Sequence, residues 1–144
     1  MTQDVRFSRD VSGDMLLQLQ AKLDGGAGAM LIRLYDGTRR ATPEDSIGSS
    51  TLLAQSVSSN TTTCATETPT GTLTFASIPT VTAETFTSPS TRTATWAAWC
   101  MSDGTGVFDC DVGVVGSQKF IEMVSTSVVS GAPVAFSSAT ITFP

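Results

Sequence analysis

The most regular alternation of apolar and polar positions in this chain lies in two runs, Arg92–Met101 and Val107–Val115. Ser102-Asp103-Gly104-Thr105-Gly106 joins them. In the first run Ala94, Trp96, Ala98 and Cys100 alternate with Thr93, Thr95, Ala97, Trp99 and Met101. In the second, Phe108, Cys110, Val112 and Val114 alternate with Val107, Asp109, Asp111 and Gly113. A period of two on both sides of a short Gly-containing loop predicts a β-hairpin. Folded about Thr105, it sets Cys100 opposite Cys110, Ala98 opposite Val112 and Trp96 opposite Val114, an apolar face expected to hold the core. Trp99 and Met101 then lie on the other face, opposite Asp111 and Asp109. Either Trp99 marks an outward interface, or the helix folds over it and both faces become core; the pattern alone leaves both open.

The same reading along the rest of the chain gives one helix and then strands. Residues 1–11 are expected as an extended arm. Ser12 is placed as the N-cap with Asp14 in the first turn, and Met15, Leu19 and Leu23 recur at i, i+4, i+8 with Leu16 beside them. Gly25-Gly26 stops this helix, which must cover a sheet face or pack on a neighbouring subunit. Strands are expected at Met30–Tyr35, Thr51–Val57, Gly71–Ile78, Val81–Phe86, the two hairpin runs, Gln118–Val124 and Val134–Phe143. Between them lie a turn at Asp36-Gly37 and a polar connection, Thr38–Ser50, carrying Arg39 and Arg40. The Ser/Thr-rich loop Ser58–Thr70 has a length that suits function or mobility. In the last strand the apolar positions switch from even to odd, as a β-bulge near Ser137-Ser138 would cause. The expected fold is mainly β: an antiparallel β-sandwich, jelly-roll-like in strand count, with one N-terminal α-helix. Arm and helix occupy 1–28 and the sandwich 29–144, together one domain.

Composition agrees with strands: 41 of the 144 residues are Ser or Thr and only 15% are charged. The net charge of -5 argues against a nucleic-acid partner, which wants a clustered basic face. Six of the eight basic residues fall in the first forty positions, a distribution read as scattered surface charge. No apolar run approaches the ~20 residues that span a bilayer, so no membrane partner is expected. The start, Met1-Thr2-Gln3-Asp4, lacks a secretion-signal pattern, and assembly in a cytoplasm is expected. Of the three cysteines, Cys100 and Cys110 face each other in the expected hairpin and would bridge if oxidised. In a reducing compartment they read better as small buried hydrophobes. Cys64 has no evident partner.

Candidate chemistry is sparse. With no histidine the chain lacks the commonest general base and the commonest metal ligand. Asp109 and Asp111 share one strand face, with Asp103 nearby, but a calcium site wants more oxygen ligands, so an exposed polar face is the better reading. Asp36, Glu84 and Glu122 are isolated acids, and Lys22 and Lys119 are isolated amines. Gly104-Thr105-Gly106 lies in a hairpin turn, the wrong context for a phosphate loop. No enzyme activity, cofactor or metal is expected.

Several stretches together resemble small β-rich structural proteins encoded among the virion genes of tailed bacteriophages. They are Ile32-Arg33-Leu34-Tyr35-Asp36-Gly37-Thr38, Thr51-Leu52-Leu53-Ala54, Thr93-Ala94-Thr95-Trp96 and Ser102-Asp103-Gly104-Thr105. The pattern continues in Asp111-Val112-Gly113, Gly116-Ser117, Ser125-Thr126-Ser127 and Val134–Phe143, and it covers the chain from about Leu16 onward. The Ser58–Thr70 loop departs from it. The resemblance implies a virion protein, most simply a capsid decoration (cement) protein that bridges major capsid subunits as a homo-oligomer such as a trimer. On that reading the arm and helix, through Arg6, Phe7, Arg9, Met15 and Leu19, bind the major capsid protein or another virion protein. Arg39, Arg40 and an outward Trp99–Met101 face complete the expected contacts. The alternatives are a tail or head fibre subunit gripping host glycans through the Ser58–Thr70 loop and Trp99, or a tail-tube or connector component.

Overall fold

The computed structural model describes residues 8–57, 65–68, 72–75, 78–136 and 139–142. Among the described residues the one helix, α1 (Arg9–Leu23), begins three residues ahead of the expected cap, Ser12. Ser8, in extended backbone, accepts the Val11 N–H on its side-chain oxygen at 3.3 Å and is the actual N-cap. Ser12 lies inside the helix and is buried with Leu16 and Leu23. The inward stripe is therefore 12, 16, 19, 23, turned away from Met15, which is 41% exposed. Of the expected arm, residues 9–11 form the first turn of the helix and residues 1–7 lie outside the described residues.

Among the described residues twelve short strands follow: β1 (Leu31–Tyr35), β2 (Leu52–Val57), β3 (Ala65–Thr68), β4 (Thr72–Phe75), β5 (Val81–Thr82), β6 (Thr91–Thr93), β7 (Trp96–Cys100), β8 (Gly106–Val114), β9 (Ile121–Met123), β10 (Ser127–Val129), β11 (Pro133–Val134) and β12 (Thr140–Thr142). A five-stranded sheet runs β2-β1-β7-β8-β9, a three-stranded sheet β12-β4-β3, and two ribbons pair β10 with β6 and β11 with β5. The fold is thus mainly β with one N-terminal helix, as the pattern predicts. The strands are shorter and more numerous than expected. β3 occupies part of the expected Ser58–Thr70 loop, whose other residues, Cys64 among them, lie outside the described residues. The expected last strand is split into β11 and β12, and the bulge placed at Ser137-Ser138 also lies outside them.

One junction departs from the antiparallel expectation. β9 pairs parallel to β8, Val112 with Ile121 and Val114 with Met123, across the connection 115–120. A parallel return usually needs a dozen residues or more. Here the chain reverses within six through left-handed backbone at Gly116 (φ 86°) and Gln118 (φ 60°). The Glu122 carboxylate accepts the N–H groups of Gly116 and Gln118 at 3.1 and 2.8 Å, which holds the loop. The same tight loop explains why the expected strand over 118–124 shrinks to three residues.

The hairpin forms, in a register three residues from the expected one. Trp96 pairs with Asp111, Ala97 with Cys110, Ala98 with Asp109 and Trp99 with Phe108, and an irregularity then leaves Cys100 opposite Gly106. This register sets Trp99 against Phe108 on one face and brings Asp109 and Asp111 to the Trp96 face, where Arg40 and Arg39 bind them. On one face Trp99 stacks on Phe108, with ring centroids 5.3 Å apart, and meets Phe75 at 4.3 Å and Phe120 at 5.8 Å. Leu16 and Leu23 of α1 belong to this same core, so helix and strands fold around one interior. On the other face Tyr35, Trp96, Ala98 and Cys100 form a second, smaller cluster with Leu31, Ile47 and Leu52.

Candidate interface surfaces

The polar connection 36–50 covers the second cluster, and two arginines hold it there. Arg40 grips Asp109 with two parallel bonds, Nε to Oδ2 at 2.7 Å and Nη2 to Oδ1 at 2.8 Å. Its Nη1 donates to the Asp45 carbonyl at 3.0 Å, and its guanidinium lies 5.7 Å from the centre of the Trp96 ring. This pair is nearly dry, with side chains 11% and 6% exposed. Arg39 reaches Asp111 at 2.9 Å at the half-exposed rim, and Lys119 approaches the other oxygen of that carboxylate at 3.6 Å. Close backbone contact completes the strap: a Cβ on Gly106 would stand 2.6 Å from the Pro43 carbonyl oxygen. Asp109 and Asp111 do share a face, as their i, i+2 spacing on a strand requires. That face is closed by arginine. Asp103 serves the hairpin loop, where it accepts the Thr105 N–H at 2.8 Å, and this bond holds its carboxyl below the usual range. Among the described residues no three His, Cys, Asp or Glu side chains gather to hold a metal.

Trp96 is fixed in the second cluster by polar bonds at its edge. Its indole N–H donates to the Asp36 carbonyl at 3.0 Å and lies 3.3 Å from the Ser50 hydroxyl, while the ring stacks on Tyr35 at 4.5 Å. Arg92 pairs with the Asp36 carboxylate at 2.7 Å. The two hairpin cysteines lie on opposite faces, because the observed register offsets them. Cys110 points into the main core and receives the Trp99 indole N–H at 3.3 Å, while Cys100 belongs to the second cluster. The bridge between them that the expected register allowed cannot close, since a disulfide needs Cβ vectors that point toward each other. Both thiols are free. Burial pushes Cys110 up to about 12 and raises Cys100 and Tyr35 as well.

The expected contact residues separate accordingly. Arg6 and Phe7 lie outside the described residues, and Arg9 is the first residue of α1. Met15 faces outward, while Leu19 is half-buried against the main core. Arg40 is consumed by Asp109 and is not available to a partner; Arg39 is shared between Asp111 and the surface. Trp99 is fully buried under its phenylalanines, which corrects the outward aromatic face, and Met101 is half-buried at the hairpin loop.

Among the described residues, two open surfaces flank β8 and β9, besides the outer face of α1. One is a groove of about 580 Å³ beside β8, where Phe108, Phe120 and Ile141 form apolar walls and Arg39, Asp111 and Lys119 carry the charge. It exists because β9 pairs only with 112–114, leaving the earlier part of β8 flanked by the 115–120 loop. The sequence reading took Lys119 for an isolated amine, did not single out Phe120, and placed both in a strand; the loop that carries them is set by left-handed backbone at Gly116 and Gln118. The second surface is an apolar edge where β8 and β9 end: Val124 is 88% exposed and Val115 59%, next to the half-exposed Val114. Among the described residues no helix is long and apolar enough to cross a membrane. No family model, no curated protein and no solved structure matches this chain.

Proposed function

We propose that the chain is a non-catalytic structural subunit of a tailed-bacteriophage virion. Its role is that of a capsid decoration protein, which binds the major capsid protein on the assembled shell, acts as a homo-oligomer, and is made in the host cytoplasm. The resemblance described above suggests the setting. The single observation that carries the reading is the exposed valine edge, Val114, Val115 and Val124, left outside while both tryptophan faces are closed. Apolar side chains grouped on an otherwise polar surface favour burial against another protein. The internal ion pairs support the same role, since acids that could have served chemistry instead fasten the strap to the sheet. A decoration protein binds only the assembled shell and so stabilises it by mass action.

Thermal disruption of expanded, undecorated capsids tests this. Added protein should raise the disruption temperature in a saturable way, and an unchanged temperature at saturating protein contradicts the proposal. The truncation that removes residues 1–28 is unsuitable as a control, because it takes Leu16 and Leu23 out of the core. Point changes on the valine edge serve instead.

A further inference from the structure

We infer that the groove beside β8 is the receptor for the outer face of α1 from a second copy of this chain, giving a head-to-tail self-contact. The inference rests on the homo-oligomeric part of the proposed function and names the two surfaces that would make it.

The groove carries an unbalanced charge. Asp109 is already neutralised by Arg40, whereas Arg39 and Lys119 share the single carboxylate of Asp111. Among the described residues one cation is therefore in excess, in a groove whose lining also includes Phe108, Phe120 and Ile141. An occupant that fits presents one carboxylate flanked by apolar side chains. The outer face of α1 presents that set: Val11 and Met15 are 45% and 41% exposed, and Asp14 is exposed between them. The spacing 11, 14, 15 is i, i+3, i+4, which places all three side chains on one helical face. Met adapts its unbranched side chain to an irregular apolar wall. The carboxylate of Asp14 would meet Lys119 and Arg39 while Val11 and Met15 cover the phenylalanines.

The position of the two surfaces makes the contact intermolecular. In the three-stranded sheet β12-β4-β3, α1 lies against β3 and β4, while the groove is lined by Ile141 of β12 at the opposite edge. A contact between two different patches is heterologous, and it closes into a ring when the rotation allows.

Sedimentation velocity of the full chain across a concentration series, at low and high salt, tests the inference through charge reversal. Asp14 and Lys119 are both exposed, so Asp14→Lys and Lys119→Glu should fold, which thermal melting checks. The wild type should self-associate, and each single reversal should weaken association by about tenfold or more, as like charges then face each other. The double variant, Asp14→Lys with Lys119→Glu, should recover it. Wild type that stays monomeric, single variants that associate like wild type, or a folded double variant that does not recover would each overturn the inference. Self-association without capsid stabilisation would overturn the decoration role and leave this contact standing.

Discussion

Trp96 and Trp99 stand three residues apart on one strand, so their side chains leave it on opposite sides, and each finds its own interior. That parity explains why every residue of β7 is buried. Trp99→Ala should cost about 3–5 kcal/mol by denaturant unfolding, because the three phenylalanines around it cannot collapse into the space. The Arg40–Asp109 pair behaves differently. Asp109→Ala strands a nearly dry guanidinium and should cost about 3–5 kcal/mol, whereas replacing both partners with Met and Leu should recover most of that loss. Cys110 adds a pH signature. Its thiol holds its proton to about 12 when folded, against a free value near 8.5. Below pH 8.5 both states are protonated and the full stability is present. Above it the unfolded chain releases the proton first, so stability falls by about 1.4 kcal/mol per pH unit as pH rises toward 12. Cys100 and Tyr35, also raised, act in the same direction. Cys110→Ala should flatten the alkaline limb of stability against pH; an unchanged slope means the thiol does not contribute.

At the level of elements, the helix divides its residues sharply. Leu16→Ala should cost about 2–5 kcal/mol and Met15→Ala less than about 0.5, measured by the midpoint of unfolding. The helical period was legible in the sequence, but its phase was not, because the stripe is completed by Ser12, whose hydroxyl gives no apolar signal. The hairpin shows the same division. Alternation located the second strand to within a residue, but the first run is split into β6 and β7, which join different sheets, and alternation alone preferred the register with most apolar pairs on one face. The register that forms depends on the strap, and a polar segment from 36 to 50 carries no periodic sign that it will cover a sheet. Arg39-Arg40 and Asp109-x-Asp111 were each visible; their meeting across about seventy residues was not. The parallel return to β9 was hidden for a related reason, since Gln118 adopts a left-handed conformation that its residue type does not announce. Glu122→Ala should loosen that loop and cost about 1 kcal/mol, since the two N–H groups it releases are exposed and water replaces the carboxylate.

Across the described residues, both tryptophans are spent on the interior, while the valine edge, the outer face of α1 and the groove beside β8 stay open. The helix and the strands, set apart at residue 28 in the sequence, share the core that Leu16 and Leu23 enter. Trp99 is fully buried, so the outward aromatic face is lost as a contact; in the proposed assembly, the valines face the shell and the groove and helix face another copy. The most direct measurement is the binding isotherm of the full chain on expanded, undecorated capsids, taken alongside Val115→Asp/Val124→Asp. Both substitutions fall on exposed positions and should leave folding intact. Saturable binding by the wild type, weakened about tenfold or more in the double variant, is the expected result. No binding by folded wild type, or equal binding by both, contradicts the account.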